Sequence, residues 1–321
     1  MITFKHVTKS YEDGTKAVDS LNFTIEKGEF FVLIGPSGCG KTTTLKMVNR
    51  LIERTSGEIT LNGKDIQDYD IHELRWDIGY VLQQISLFPH MTIGENIAVV
   101  PELKKWDKNK VNKRVEELLV MVGLDPDRYR HKKPSELSGG EQQRIGVARA
   151  LAADPALILM DEPFSALDPI SREKLQEDML HLKRAIHKTI IFVTHDIQEA
   201  LKLGDRICVM KEGAIEQIGT PHDILHAPVN SFVSGFIGVH RGLPKEPAIA
   251  EYMERGPILA EEAASLNKIP VDADFSEALN LLLNHESIAI VDAGAIIGTL
   301  SRKDVIRLLA NQQSGGGAVR G

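Results

Sequence analysis

The stretch Gly35-Pro-Ser-Gly-Cys-Gly-Lys-Thr42 lies between an apolar run, Phe30 to Ile34, and a helical pattern, Thr43 to Leu51. A buried strand that must turn at once into a helix leaves the connecting backbone few paths, and glycine supplies them. Gly35, Gly38 and Gly40 let the chain turn tightly and aim successive N–H groups inward, while the helix offers its positive dipole end to the same point. Lys41 then reaches the β- and γ-phosphates of a nucleotide, and the Thr42 hydroxyl is placed to ligate Mg²⁺. Pro36, Ser37, Cys39 and Thr43 complete the nucleotide-contacting set. A Gly-rich connector with no ligand is the simpler alternative, and the complete G-x-x-x-x-G-K-T spacing between strand and helix counts against it. Cys39, beside Lys41 and a helix N-terminus, is expected to favour the thiolate.

Two later segments repeat the pattern of an apolar strand that ends in polar groups. Ala156-Leu-Ile-Leu-Met-Asp-Glu162 suits a strand buried on both faces that delivers two carboxylates to its C-terminal end, the edge where ligands of open α/β sheets collect. Asp161 is placed to hold Mg²⁺, directly or through water, and Glu162 to polarise the water that attacks the γ-phosphate. Thr189-Ile-Ile-Phe-Val193 ends in Thr194-His195-Asp196, which brings His195 to the same edge. Between these strands, Leu137-Ser-Gly-Gly-Glu-Gln-Gln-Arg144 opens a helix. Ser138 and Glu141 have capping-box spacing. Gly139 and Gly140 weaken a first turn unless something must approach its N–H groups closely, and a phosphate is the natural candidate.

At 321 residues the chain exceeds one typical domain. Strands alternate with helical segments through about residue 237, as in a parallel sheet covered by helices. A Gly-, Pro- and charge-rich linker is expected over 238–255, a small helix–strand–strand–helix module over 256–312 and a flexible tail over 313–321. The net charge of −7 counts against a nucleic-acid partner, because phosphate backbones are bound through clustered Lys and Arg. Cys39 and Cys208 lack metal-ligand spacing, which fits a reducing compartment. No apolar stretch reaches bilayer length and no secretory pattern opens the chain, so a soluble cytoplasmic protein is expected.

The motifs at Gly35 to Thr42, Leu137 to Gln142, Leu157 to Glu162, Ser165 to Asp168 and His195 stand in an order that resembles the ATP-binding subunit of an ABC transporter. Over residues 1–237 this resemblance implies an α/β P-loop ATPase fold with an inserted helical subdomain, and ATP and Mg²⁺ as cofactors. It adds Gln83, in Gly79-Tyr-Val-Leu-Gln83, as the family's catalytic and metal-side glutamine. It also adds Tyr11, in Val7-Thr-Lys-Ser-Tyr11, as the adenine-stacking aromatic, and Asp168 from the loop that begins at Ser165. Glu141 stands where many members carry Gln. The resemblance further implies a homodimer that sandwiches two ATP molecules, so that Ser138, Gly139 and Gly140 of one copy meet the γ-phosphate held by Lys41 of the other. Partners would be transmembrane permease subunits, met near Ser86 to Asn96 through Leu87, Phe88 and Met91, and an extracytoplasmic substrate-binding protein reached through them. Leu87, Phe88 and Met91 as ordinary subdomain core is the other reading. The place of work would be the cytoplasmic face of the cell membrane.

The wording of the chain is most similar to importers of osmoprotectants such as glycine betaine, carnitine, choline or proline. Import of another small solute, and a soluble ABC ATPase acting on nucleic acid or the ribosome, are the alternatives. Against the second, this sequence shows neither the long coiled coil that DNA-repair members need nor the two ATPase domains usual in translation members. Asp274 to Leu283 reads as a capped amphipathic helix, Ser287 to Val291 and Ala295 to Leu300 as strands, and Arg302 to Ala310 as a last helix, which resembles a single CBS motif of α+β type. Within it, Ser301 and Asp304 match the positions that hold a nucleotide ribose and phosphate. They also have capping-box spacing, and both readings stand. The resemblance implies cyclic di-AMP or another adenine nucleotide as the ligand. Such motifs work in pairs, so either a second copy completes the site or the module is degenerate.

Overall fold

Three strands are buried along their whole length: Phe30–Ile34, Leu157–Asp161 and Thr189–Thr194. The computed structural model that shows them describes residues 1–84, 86–165, 167–240, 266–271, 273, 275–292, 295–303 and 305. With strands numbered β1 (Ile2–Ser10), β2 (Lys16–Ile25), β3 (Phe30–Ile34), β4 (Ser56–Leu61), β5 (Lys64–Asp65), β6 (Ile78–Val81), β7 (Leu157–Asp161), β8 (Thr189–Thr194), β9 (Arg206–Lys211) and β10 (Ala214–Gly219), the main sheet runs β10-β9-β3-β8-β7-β6. Its pairs are parallel except the β9–β10 hairpin.

Successive residues of a strand face opposite sides, so a strand with no polar face needs cover on both. Phe30, Val32 and Ile34 enter one core, while Phe31 and Leu33 enter another. The second core is closed by Leu45 of α1 (Lys41–Val48), Leu74 of α2 (Ile71–Trp76) and the antiparallel sheet β2-β1-β4-β5. The first is closed by helices: α3 (Ile93–Leu103), α4 (Lys108–Met121), α5 (Pro126–Tyr129), α6 (Gly139–Leu151), α7 (Pro169–Ile186), α8 (Ile197–Leu203), α9 (Pro221–His226) and α10 (Ser231–His240). One face is therefore covered by helices, and the other by α1 and α2 together with an antiparallel sheet. The alternation in Ile2-Thr-Phe-Lys marks a half-buried strand, and sheet-on-sheet packing uses its single apolar face.

The chain divides into one unit over Met1–His240 and another over Arg241–Gly321. Helix α10 runs through His240, so residues 238–240, taken from the sequence as the start of the linker, are helical. The described part of the second unit is α11 (Phe275–Asn284) with β11 (Lys268–Pro270), β12 (Ser287–Asp292) and β13 (Ala295–Ser301), in the order β11-β12-β13. Ile269, Ala278, Leu282, Ile288, Ile290 and Leu300 form its core. The short parallel strand β11 was not expected, because one inward residue, Ile269, leaves no alternation to read. Arg302 donates through Nη2 to the Leu283 carbonyl at 2.8 Å, a cation at the C-terminal end of α11. Asp304 and the tail over 313–321 lie outside the described residues, as does nearly all of the expected last helix.

At the end of β8, the buried Glu199 carboxylate accepts a hydrogen bond from the Thr194 hydroxyl. Burial pushes this carboxyl above its ordinary value of 4.5, with the Thr194 bond opposing. The folded chain thus holds that proton more tightly than the unfolded chain. The stability the group contributes is complete below the ordinary value and is lost as pH rises through the raised one. Glu199→Gln, neutral throughout, is expected to gain melting temperature relative to the parent as pH climbs from acid to neutral; a difference that does not change with pH would count against burial as the cause.

Candidate nucleotide site

Helix α1 begins without a side-chain cap. Its N-cap is Gly40 at φ 98°, and its first turn carries no acidic residue. Helices α2 to α9 each begin with an Asp, Thr or Ser side chain that accepts from a first-turn N–H. The first-turn donors of α1 are left for an anion. The glycines in front of it are required by close approach: a Cβ on Gly40 would collide with the Ala17 carbonyl, and one on Gly35 with that of Met210. Lys41 is buried, and its Nζ donates to the carbonyls of Gly35 at 2.7 Å and Pro36 at 2.9 Å, which hold the ammonium over the loop.

The Thr42 hydroxyl donates to Asp161 Oδ1 at 2.8 Å, and the Tyr80 hydroxyl lies 3.5 Å from Oδ2. Burial pushes the Asp161 carboxyl above the usual aspartate range, with the Thr42 bond opposing. Burial, and then the Asp161 charge, pushes the Tyr80 phenol up as well. Glu162 sits at φ 43°, its N–H donating to the Val193 carbonyl at 3.0 Å and its own carbonyl accepting from the Ser165 hydroxyl at 2.9 Å. That turn aims its carboxylate at two partners through one oxygen, Oε2: His195 Nδ1 at 3.0 Å and Gln83 Nε2 at 3.4 Å.

These groups line one open cleft of about 380 Å³, formed by Ser37 to Thr43, Gln83, Glu162, His195 and Ala17. Asp161 joins it through Thr42, while Gly35 and Pro36 contribute the carbonyls on Lys41. Tyr11, Ser138, Gly139, Gly140, Glu141 and Asp168 are not among the lining residues. Tyr11 is exposed, with Lys9 Nζ 5.1 Å from its ring centre. Asp168 caps α7 by accepting from Ser171 N–H at 3.0 Å. Ser138 and Glu141 form a reciprocal capping box at α6. A Cβ at Gly139 would meet nothing within 4 Å, and one at Gly140 only ordinary contact with Ser171. Nothing among the described residues demands glycine there.

Cys39 departs from expectation. It is buried, and burial pushes its thiol above the ordinary value, outweighing the Lys41 charge that favours the thiolate. Sequence reasoning also passed over Ala17, which reaches the cleft only by tertiary packing, and Tyr80, whose one signal is a phenol in the apolar strand that leads to Gln83. Alkylation of Cys39 by iodoacetamide at neutral pH is expected to run at least roughly tenfold slower in the folded chain than in urea. Equal rates would show an open, ionised thiol.

A mostly parallel sheet with a phosphate loop, an adjacent carboxylate pair and a histidine at one edge defines a P-loop ATPase. The sequence profile of the ABC transporter family matches residues 18–165, and that of the CBS domain matches 249–311. The glycine betaine/carnitine/choline transport ATP-binding protein OpuCA of Bacillus subtilis is 51% identical over 297 residues, covering 91% of this chain and 76% of the relative. The glycine betaine uptake system ATP-binding protein YehX of Escherichia coli is 43% identical over 312 residues, covering 95% and 99%. Among solved structures, the dimeric post-hydrolysis state of the ATP-binding cassette MJ0796 bound to ADP and Pi is 37% identical, with a TM-score of 0.62 over 69% of this chain and 99% of that one. The chain belongs to the ABC transporter family of ATP-binding proteins and carries a C-terminal CBS domain. It is an ATPase.

Proposed function

We propose that the chain is the ATP-hydrolysing subunit of an importer that carries a quaternary-amine or betaine-type osmoprotectant through a separate membrane permease, at the cytoplasmic face of the cell membrane. The observation that carries the ATPase part is the division of the nucleotide machinery. The phosphate loop, Gln83, Asp161, Glu162 and His195 converge, whereas Ser138, Gly139 and Gly140 stand apart with glycines that packing among the described residues does not use. A second copy docked head to tail would bring those three residues to the γ-phosphate held by the first copy's Lys41. The solute class rests on the relatives, whose names specify glycine betaine, carnitine and choline. Among the described residues no helix is long and apolar enough to cross a membrane, so the path for solute belongs to a partner.

Within the cleft, the bare N-terminus of α1 and Lys41 bind the phosphates, and Tyr11 stacks on the adenine. Both described hydrogen bonds to Glu162 use Oε2, so Oε1 is the oxygen that takes a proton from the attacking water. His195 holds that water beside the γ-phosphate, with Gln83 at the rim. Glu141 and Asp168 act through the caps they form. Mg²⁺ prefers hard oxygen donors, and the Thr42 hydroxyl beside the buried Asp161 carboxylate supplies two of them. The ion, when bound, neutralises charge on the transferred phosphoryl group. In reconstituted transporters, glycine betaine, carnitine or choline is expected to stimulate ATP hydrolysis. Glu162→Gln should lower turnover roughly 10²- to 10⁴-fold while ATP binding persists. Stimulation by no quaternary amine would move the substrate to another class, and full turnover by Glu162→Gln would remove it as the base.

The permease contact is proposed at the loop before α3. Phe88 and Met91 are exposed there, while Leu87 is half-buried against the core. The buried Asn96 fixes the loop: its Oδ1 accepts from Phe88 N–H at 2.8 Å, and its Nδ2 donates to the carbonyls of Phe88 at 3.1 Å and Thr92 at 3.0 Å. From Thr92 a cleft of about 540 Å³ continues between α3 and α4, with Ala98, Val111, Val115 and Trp106 along its walls and Glu95 and Arg130 among its polar groups. A short amphipathic helix of the permease fits such a groove. Phe88→Asp is expected to weaken co-purification with the permease roughly tenfold and to leave ATP affinity of the isolated chain unchanged; retention of the full complex would place the contact elsewhere.

For the CBS domain we propose one adenine-nucleotide site shared by two copies, with Ser301 and Asp304 holding ribose and phosphate. Calorimetric titration of the full chain with cyclic di-AMP is expected to give one ligand per two chains, and Asp304→Ala to abolish the heat. No heat with cyclic di-AMP would leave the domain as a contact between copies or an evolutionary remnant.

A further inference from the structure

The carboxylate of Glu141 is engaged from two sides. Its Oε2 accepts both the N–H and the hydroxyl of Ser138 at 2.8 Å, and its Oε1 accepts the phenol hydroxyl of Tyr129 at 2.5 Å. Tyr129 is the last residue of α5 and packs its ring partly into the helical core. Lys132 Nζ lies 4.6 Å from the ring centre, and the Arg128 guanidinium 5.5 Å. The phenol therefore reaches the head of α6 from a separate element, with cations at its back. Glutamine at position 141 would have closed the same cap without a charge. Glutamate instead puts a carboxylate at a helix N-terminus that a phosphate must approach, where its repulsion opposes the helix dipole. A fixed donor on Oε1 holds that carboxylate in the orientation in which Oε2 spans Ser138, and the hydrogen bond disperses its charge.

We propose that Tyr129 is a positioning residue for the nucleotide site shared between two copies: it fixes and partly neutralises Glu141, so that Ser138, Gly139 and Gly140 meet a γ-phosphate in one geometry. The inference rests on the head-to-tail dimer proposed above. The electrostatics agree with it, since the Tyr129 bond is the first cause that holds Glu141 below the usual carboxylate range, and the same bond pushes the Tyr129 phenol up. Tyr129 is not among the residues lining the cleft that holds the phosphate loop, so binding of ATP to a single copy does not depend on it.

The test uses the full chain in the slow-hydrolysing Glu162→Gln background, with ATP-dependent dimerisation followed by analytical ultracentrifugation and single-chain ATP affinity by a fluorescent analogue. Tyr129→Phe keeps the ring and removes only the hydroxyl. It is expected to raise the dimer dissociation constant roughly tenfold, the scale of one hydrogen bond to a charged group, with ATP affinity and melting temperature unchanged. In a chain that also carries Glu141→Gln, the same change should cost less than about twofold, because no carboxylate remains to be held. Equal loss with Gln at 141 would overturn the inference by showing that Tyr129 acts through packing. An undiminished dimer for Tyr129→Phe would overturn it as well. A parent chain that stays monomeric at saturating ATP would overturn the shared site itself, and this role with it.

Discussion

The register of three parallel strands is the constraint on which the rest of the molecule depends. Ile34 pairs with Thr194 and Val193 with Asp161, so β3 and β8 end at one level and β7 one residue short of it. Gly35, His195 and Glu162 therefore leave the sheet within one residue step of one another. A slip of one residue in any of the three would turn its apolar side chains to the wrong core and displace its polar terminus by about 3.3 Å, farther than a hydrogen bond tolerates. The two cores that hold the strands in place thus also set the distances between Glu162, His195 and Gln83.

Helix ends carry the second layer of organisation. α1, α6 and α7 all follow loops that carry motifs of this family, yet their N-termini are capped differently: by no described side chain, by a carboxylate capping box, and by Asp168. The bare end belongs to the cleft that one copy assembles alone. The capped end at Ser138 is preset in shape by Glu141 and Tyr129 before any ligand arrives. Preorganisation of this kind limits the ordering cost when two surfaces close on a shared ligand.

Burial and charge compete inside the cleft. Cys39 stands two residues from Lys41, and the Lys46 charge favours the ionised form of Asp161. Desolvation wins at each, raising the carboxyl and the thiol together. At Asp161 the outcome suits a cation ligand, because a carboxylate poorly solvated by water gains most from an ion. At Cys39 it makes an inert wall residue.

The sequence by itself determined the phosphate loop, the carboxylate pair, His195 and the buried strands that present them, because each depends on local spacing: glycine where backbones touch, unbroken apolar runs where both faces are covered, and polar groups where the run stops. It also determined the helix and both hairpin strands of the C-terminal domain, through alternation that spans five or six residues. Tertiary structure decided what has no local signature. The cover of one sheet face by an antiparallel sheet, the approach of Ala17 and Tyr80, the partial burial of Leu87 and the bond from Tyr129 to Glu141 each join segments that no periodicity links. The sign of the Cys39 shift belongs with them, since burial is a property of everything packed around a group, and neighbours in sequence report only the charges close by.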